Sequence, residues 1–194
     1  MKTIDTESRI FGKKMPGTEG IWTFILIDMM VFLLIFFVFI IERLGNFEIY
    51  QQSQRHLSAT WGFVNTLILI TSSWMVVEAV HAAKLKNSIA ASRWLKWAFL
   101  LGGVFVINKV IEYYIKIDAG YGITTNSFFT FYFFITAIHF LHLLAGMIFL
   151  WAYSRSARDC KTTLSYTTEL ENVGLFWHFV DALWIFIFPI LYLI

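Results

Sequence analysis

Residues 176–181 read Phe-Trp-His-Phe-Val-Asp, and they open an apolar run that continues to Ile194. Positions three apart in a helix lie on one face, so His178 and Asp181 point in the same direction. Placing one ionisable side chain in hydrocarbon costs at least about 2.5–3.5 kcal/mol. Two such side chains on one face therefore predict contact with the protein interior, a partner subunit or a proton-handling surface rather than with lipid.

The composition around this stretch is that of an integral membrane protein. Of the 194 residues, 58% are hydrophobic and 14% are charged, against a charged share of about 25% in soluble domains. A membrane span needs about 20 mostly apolar residues. Five segments meet this requirement, and we place them at 20–41, 61–81, 94–115, 127–151 and 173–194. We therefore predict an all-α membrane protein that forms a five-transmembrane-helix bundle.

The same segments predict a simple domain plan. We expect a cytoplasmic N-terminal segment, residues 1–19, followed by a single membrane domain, residues 20–194. The first span is too long for the apolar core of a signal peptide and no small-residue cleavage site follows it, so we expect it to remain as an anchor. The single cysteine, Cys160, excludes an internal disulfide and any multi-cysteine metal site.

Lysine and arginine are shared unequally between alternating loops. One set of loops contains Lys2, Arg9, Lys13, Lys14, Lys84, Lys86, Arg93, Lys96, Arg155, Arg158 and Lys161. The other set contains Arg43, Arg55 and Lys116. Basic residues are in excess in cytoplasmic loops, so the first set is predicted to be cytoplasmic. The N-terminus then lies inside and the C-terminus, after five crossings, lies outside.

Several local features modify this plan. The segment 42–60 is long enough for a short amphipathic helix at the outer surface, whereas the polar segment 152–172 is expected to form an inner loop. Pro189 removes one backbone donor, which predicts a kink or local unwinding near Ile185. Small residues within the spans either let helices approach closely or are tolerated there without such a role. They are Gly62, Gly102, Gly103, Ala145 and Gly146.

Ionisable residues within the spans are concentrated on one side. At about 1.5 Å of rise per residue, six fall in the inner half: Asp28, Glu78, His81, His142, His178 and Asp181. They form either a proton-conducting or proton-buffering layer, or hydrogen-bonded pairs that fix helix packing or hold a partner. His139 lies near the middle. Toward the outer end, the spacing of Lys109 and Glu112 predicts an interfacial ion pair.

The histidines do not form a pattern that favours a haem or metal site. His139 and His142 lie on one helix and cannot grip the two faces of one haem, while His142 and His178 differ in depth by about two turns. The sequence has no His-x-His, no cysteine cluster and no Glu-x-x-His. It also lacks a nucleophile with its base or a nucleotide-binding loop. We expect no cofactor, metal or catalytic residue in this chain, and no nucleic-acid partner.

Five blocks of the sequence, in order, resemble subunit III of the heme-copper oxidase superfamily. The first block is residues 20–28, in which Asp28 stands in the place of a buried family acid, and the third is residues 112–114, which begin with the Glu112-Tyr113 pair. The second block consists of Asn65, Thr66, residues 71–73, Ala79 and His81. The fourth consists of Thr136, His139, His142 and Gly146, and the fifth of Glu171 with residues 177–181.

The resemblance implies a non-catalytic subunit that has no haem or copper of its own. Family members pack against a twelve-helix catalytic subunit, which holds the haems and the second metal, and are thought to stabilise it during turnover. Their buried acid lies toward the side of proton uptake. The resemblance therefore implies a multi-pass protein of a bacterial-type inner membrane, with the catalytic heme-copper subunit and membrane lipids as partners.

The chain departs from larger family members, which have seven helices, because their first two have no counterpart here. Asp28 is one methylene shorter than the usual glutamate. Residues 48–65, 65–74 and 109–113 look most like the five-helix branch associated with nitric oxide reductases, often called the NorE type, which we favour over an oxidase subunit. The alternative function is a membrane protein that conducts protons or small ions through the inner acid and imidazole layer.

Overall fold

The computed structural model describes residues 16–159 and 164–194. These residues form six α-helices and a terminal π-helical turn: α1 (Glu19–Gly45), α2 (Phe47–Gln54), α3 (Ala59–Lys84), α4 (Ser88–Asp118), α5 (Ser127–Asp159), α6 (Leu164–Phe188) and the π-helix Pro189–Leu193. Most of the predicted N-terminal segment lies outside the described residues, as do Lys2, Arg9, Lys13, Lys14, Cys160 and Lys161.

Five of the helical stretches are long and apolar enough to cross a membrane. They are Glu19–Gly45, Ala59–Lys84, Ser88–Asp118, Ser127–Ala157 and Ser165–Leu193. The first four contain the first four predicted segments, and the last covers the fifth except for its final residue, Ile194. The predicted class, an all-α membrane protein with five spans, is therefore confirmed.

The helices extend beyond the apolar segments. Helix α4 begins at Ser88, where the side chain of Asn87 caps it by accepting a hydrogen bond from the N–H of Ala90 at 3.1 Å. Residues 152–172, predicted to form a loop, are helical up to 159 and again from 164. Hydropathy marks only the part of a helix that lies in hydrocarbon, and polar residues continue the helix beyond it.

The short helix expected in the segment 42–60 is α2, and it is tied down by aromatic packing. The ring of Tyr50 meets Phe39 of α1 at 5.4 Å and Phe128 of α5 at 5.5 Å, both edge to face. Burial raises the pKa of the Tyr50 phenol. Helix α2 thus closes one end of the bundle over α1 and α5.

Pro189 acts at a different place from the one predicted. Helix α6 continues past Ile185 to Phe188, and Pro189 begins the π-helical turn, in which the N–H of Ile194 donates to the carbonyl of Pro189 at 2.9 Å. In an α-helix each N–H bonds to the carbonyl four residues earlier, and in a π-helix to the carbonyl five residues earlier. Where one changes into the other, one N–H has no carbonyl partner, and proline has no N–H that could be left unpaired. The missing donor therefore costs little at this junction.

Helices α3 to α6 form a four-helix bundle, and α1 lies against its outside. Helix α4 packs between α3 and α5, and α6 packs between α5 and α3. Helix α1 contacts α5 and α6 through a single buried stripe with the spacing of one helix face: Ile25, Phe32, Phe36 and Phe39.

The bundle is held at its centre by Trp177, whose ring lies between two glycines. A Cβ on Gly146 would lie 2.7 Å from this ring, and a Cβ on Gly102 would lie 3.0 Å from it. Gly62 is similarly close to the ring of Phe188. These three glycines allow close helix approach, whereas a Cβ on Gly103 would meet only Met147, at 4.0 Å.

We predict that Gly146→Ala lowers the free energy of unfolding by about 1–3 kcal/mol, because the added methyl group overpacks the Trp177 ring. Gly103→Ala is the matched control. It adds the same methyl group to a helix where there is room, and should be neutral or stabilise by up to about 1 kcal/mol. Thermal unfolding in detergent, followed by circular dichroism, measures both; equal losses would contradict the packing role of Gly146.

Candidate functional site

The strongest polar constellation surrounds Lys109, which is 1% exposed within the bundle. Its ammonium group lies 3.0 Å from Oε2 of Glu112 and donates to the hydroxyls of Tyr132 at 3.2 Å and Tyr192 at 2.8 Å. Those two hydroxyls in turn donate to Oε1 of Glu112, at 2.9 and 2.6 Å. We call these four residues the Lys109 network.

Aromatic rings enclose the ammonium group of Lys109 as well. Its Nζ lies 4.9–5.5 Å from the ring centroids of Tyr113, Tyr132, Trp184 and Tyr192, within the range of cation–π attraction. All three ammonium donors are already directed at Glu112 and the two hydroxyls. The network is therefore saturated by groups of this chain.

The predicted ion pair between Lys109 and Glu112 is confirmed at 3.0 Å, and the sequence does not indicate how deeply the pair is buried within the bundle. Glu112 is only 8% exposed, and the pair lies within the bundle. The reason is that α5 supplies Tyr132 and the π-helical turn supplies Tyr192. These phenols donate to the carboxylate, and nothing in the local spacing of Lys109 and Glu112 indicates them.

A second polar contact joins α1 to the bundle. Oδ2 of Asp28 lies 3.2 Å from Nε2 of His142 on α5, while Nδ1 of His142 donates to the carbonyl of Ile138 at 2.9 Å. At this distance the two side chains are in ion-pair contact, but Oδ2 of Asp28 makes no hydrogen bond among the described residues. The Asp28–His142 pair thus links α1 to α5.

A third group, the Ser73 cluster, lies between α3 and α6. The hydroxyl of Ser73 lies 2.5 Å from Nδ1 of His178, and Asp181 interacts with the same hydroxyl. Asp181 is 8% exposed, and its Oδ1 has no hydrogen-bond partner among the described residues. The helix face that carries His178 and Asp181 therefore contacts protein, as the sequence predicts for this stretch.

Glu171 links three segments at the end of the bundle where α3 ends and α6 begins. Oε1 lies 2.7 Å from Nζ of Lys84, and Oε2 accepts from the backbone N–H of Gly17 at 3.3 Å. Next to it, the side chain of Asn172 accepts from the backbone N–H of Thr18 at 2.8 Å. Glu171 therefore holds the start of α1 and the end of α3 against α6.

The remaining candidate residues stand apart. His139 is fully buried, neither of its ring nitrogens has a partner among the described residues, and it packs against Phe105 and Trp184 at 5.9 and 5.3 Å. Glu78 is half-buried and His81 is exposed, both on the outward face of α3. Neither makes a hydrogen bond or ion pair with another residue that the structure describes.

The predicted inner layer thus divides into separate groups. The structure brings Asp28 to His142, and His178 with Asp181 to Ser73, but no hydrogen bond or ion pair joins the two groups within the described chain. Over residues 16–159 and 164–194, no three His, Cys, Asp or Glu side chains come together as a metal site would require.

One cavity of about 610 Å³ lies beside the Asp28–His142 pair, between α1, α5 and α6. His142 is at one end and Glu169 with Asn172 at the other. The rest of its lining is mainly apolar and aromatic: Ile21, Phe24, Leu141, Ala145, Phe149, Tyr153, Val173 and Phe176. Sequence reasoning missed this cavity because it results from the loose seating of α1 on two helices that lie far away in the chain.

Comparison with known proteins gives one family. The family model described as "Cytochrome c oxidase subunit III" matches residues 6–194. A cytochrome bo(3) ubiquinol oxidase subunit 3 from Buchnera aphidicola is 27% identical over 192 residues, which cover 99% of this chain and 97% of the relative. Cytochrome c oxidase subunit 3 from Corynebacterium diphtheriae is 27% identical over 198 residues, covering 100% and 96%. The corresponding protein of Thermostichus vulcanus is 33% identical over 132 residues, covering 68% and 64%.

We predict that Lys109→Met lowers the free energy of unfolding by about 3–5 kcal/mol, because it leaves a buried carboxylate without its cation. The double change Lys109→Met with Glu112→Leu should cost less than the sum of the two single changes, since it leaves neither charge unpaired. Denaturation in mixed micelles measures the cycle. Lys96→Met, near the start of the same helix, is the control with a small expected effect, because the Lys96 side chain makes no hydrogen bond or ion pair with a described residue. Strict additivity would contradict a coupled buried pair.

We also predict that Asp28→Ala lowers the free energy of unfolding by about 1–2 kcal/mol, the usual range for a polar contact between membrane helices. The change removes the carboxylate that lies 3.2 Å from Nε2 of His142. Thr23→Ala on the same helix is the control, because the exposed Thr23 hydroxyl bonds only to the carbonyl of Glu19 within α1. The same micelle denaturation measures both, and equal values would show that the pair does not attach α1.

Proposed function

The chain belongs to the cytochrome c oxidase subunit III family, and we propose that it is a non-catalytic accessory subunit of a respiratory heme-copper complex. The complex is a terminal oxidase or a nitric oxide reductase, and the chain stabilises its haem-bearing catalytic subunit. The observation that carries this proposal is the family match over residues 6–194. The two relatives that align along almost their whole length are named as oxidase subunits.

The contacts of the polar residues support a structural role. The Lys109 network, the Asp28–His142 pair and Glu171 each join different helices of this chain, and each finds its partners within it. A carboxylate or imidazole that is already paired is a poor candidate for a nucleophile or a metal ligand. We propose that the haems and the second metal belong to the catalytic subunit.

Within the family we propose the branch associated with nitric oxide reductases, the NorE type. The sequence blocks at 48–74 and 109–113 support this choice. The partner would then be the catalytic subunit of such a reductase, and a terminal oxidase is the other candidate. The identity of the haem-bearing subunit that co-purifies with the chain decides between them.

We propose the bacterial inner membrane as the location, with the end that carries most basic residues in the cytoplasm. Helix α3 ends at Lys84 and α4 begins at Ser88, so Lys86 and Arg93 lie at the same end of the bundle as the C-terminal part of α5 with Arg155. The guanidinium of Arg155 lies over the ring of Trp151 at 4.4 Å, a contact suited to a membrane interface.

We propose that the cavity between α1, α5 and α6 takes part of a membrane lipid. Its lining is mainly apolar and aromatic, and it is large enough for a stretch of acyl chain. Glu169 and Asn172, at one end, are polar groups of the kind that meet a lipid headgroup. This proposal supplies the lipid partner that the family resemblance implies.

The alternative function, proton or ion conduction, receives less support. Conduction through the inner layer requires a continuous chain of groups that can exchange protons. The described residues instead give isolated groups, and Glu78 and His81 face away from the bundle. The contacts of the described residues therefore favour the accessory role over conduction.

The proposal predicts that the affinity-tagged chain, extracted from membranes of its own host in a mild detergent, brings down a haem-containing subunit. Its absorption spectrum should show a Soret band that belongs to the partner, and the same tag on that partner should capture the chain in return. Deleting the chain should shorten the active lifetime of the partner during turnover. Purification of the chain alone under several gentle conditions would contradict the proposed function.

A further inference from the structure

One face of α3 is turned away from the bundle and has an unusual composition. Six of its seven residues are exposed and Glu78 is half-buried, and they follow one another at alternating steps of four and three. This spacing places them on one straight line along the helix. We call this line the α3 stripe: Thr60, Val64, Leu67, Thr71, Trp74, Glu78 and His81.

Helix α4 carries a second exposed line with the same spacing, and its pattern is the one expected of a surface that faces lipid. Trp97 and Tyr114 stand near its two ends, about 26 Å apart along the helix, a distance that matches the two aromatic belts of a membrane. The residues between them are aliphatic only: Leu100, Val104, Ile107 and Ile111.

The α3 stripe differs from the α4 line in the middle of the span. Thr71 and Trp74 lie near the midpoint of α3, where an indole is too deep to belong to an aromatic belt. The Trp74 ring meets Trp94 of α4 edge to face at 5.8 Å, and about half of Trp74 is still exposed. About one turn further on, the carboxylate of Glu78 makes no hydrogen bond or ion pair with any residue that the structure describes. Glu78 lies within one turn of the inner end of the predicted span 61–81, where an acid costs less than at the membrane centre but still lacks a donor from protein.

A second unsatisfied polar group lies next to the α3 stripe. His178 of α6 is half-buried, and its Nδ1 is occupied by the hydroxyl of Ser73, the neighbour of Trp74. Its Nε2 makes no hydrogen bond within the described residues. The carboxylate of Glu78 and Nε2 of His178 therefore lie on one side of the molecule, and both need hydrogen-bond partners from outside the described residues.

We propose that the α3 stripe, together with His178, docks a transmembrane helix of the haem-bearing catalytic subunit. This inference rests on the proposed function and adds the docking face and the chemistry of its occupant. The alternating step of three and four fits a second helix that packs side by side with α3. That helix presents a hydrogen-bond donor, amide, hydroxyl or basic, to Glu78, and a polar group to Nε2 of His178.

A second copy of this chain fits the α3 stripe poorly. Copies in one membrane have the same orientation, so a symmetric pair has its two-fold axis along the membrane normal. Each residue of the stripe would then meet its own counterpart at the same depth. Glu78 would face Glu78, which sets two acids against each other and leaves both without a donor. A lipid chain offers the acid no donor either.

Two tryptophans give a matched pair for the test. Trp74 on the α3 stripe is 54% exposed and Trp97 on the α4 line is 52% exposed. A photoreactive phenylalanine analogue replaces each in turn in the full chain, expressed in its own host, and intact membranes are irradiated. We expect the position of Trp74 to give a covalent adduct with the catalytic subunit, identified by mass spectrometry and by haem staining, and the position of Trp97 to give none.

The outcomes separate this inference from the proposed function. An adduct from the position of Trp97 alone, or no adduct although the complex co-purifies, overturns the docking face and leaves the accessory role intact. An adduct of Trp74 with a second copy of the chain overturns the choice of partner. Failure of the haem-bearing subunit to co-purify at all would count against the accessory role itself.

A pair of acid substitutions provides an independent measurement. Glu78→Leu should reduce the amount of catalytic subunit retained on the tagged chain about tenfold, because a donor on the partner loses its acceptor. The melting temperature of the isolated chain should not fall, since Glu78 bonds to no described residue. Glu48→Leu, at an exposed position on α2, should leave retention unchanged. Equal retention in both variants would overturn the role of Glu78.

Discussion

Hydrocarbon offers no hydrogen bonds, so every polar side chain within a span must find its partner in protein. This constraint accounts for the internal organisation of the chain. Lys109 is tolerated at almost complete burial because Glu112, Tyr132 and Tyr192 surround it with acceptors. The carboxylate of Glu78 has no partner within the described residues, and this is the observation behind the proposed docking surface on α3.

The same constraint separates holding a fold from performing a reaction. The Lys109 network uses all three donors of its cation, and Glu171 is engaged by Lys84 and by the backbone of Gly17. These contacts connect α4 to α5 and to the π-helical turn, and α1 and α3 to α6. A chain whose charges are used to join helices is well suited to support a neighbouring catalytic subunit.

The sequence predicts the number and class of the spans because hydropathy over about 20 residues is a local property. It predicts the contact of Lys109 with Glu112 for the same reason, since three residues form one turn. Burial of that pair depends on Tyr132 and Tyr192, which lie on other helices and are brought there only by tertiary packing. The cavity beside α1 also depends on tertiary packing, so the sequence does not predict it. The π-helical turn at Pro189 is not predicted either, because hydropathy does not distinguish a π-helix from an α-helix.

Family membership and geometry answer different questions about this chain. The match over residues 6–194 indicates what kind of complex the chain serves. It does not indicate which helix face contacts the rest of that complex. Faces are distinguished by contrast within one molecule: α4 places Trp97 and Tyr114 at the ends of its exposed line, whereas α3 places Trp74 near its midpoint. Aliphatic residues between two aromatic ends are the pattern expected where a helix meets lipid. The α3 pattern has two parts: the Trp74 ring meets Trp94 of α4 within the chain, whereas the carboxylate of Glu78 has no partner among the described residues. The proposed docking of a partner helix on α3 would satisfy that carboxylate.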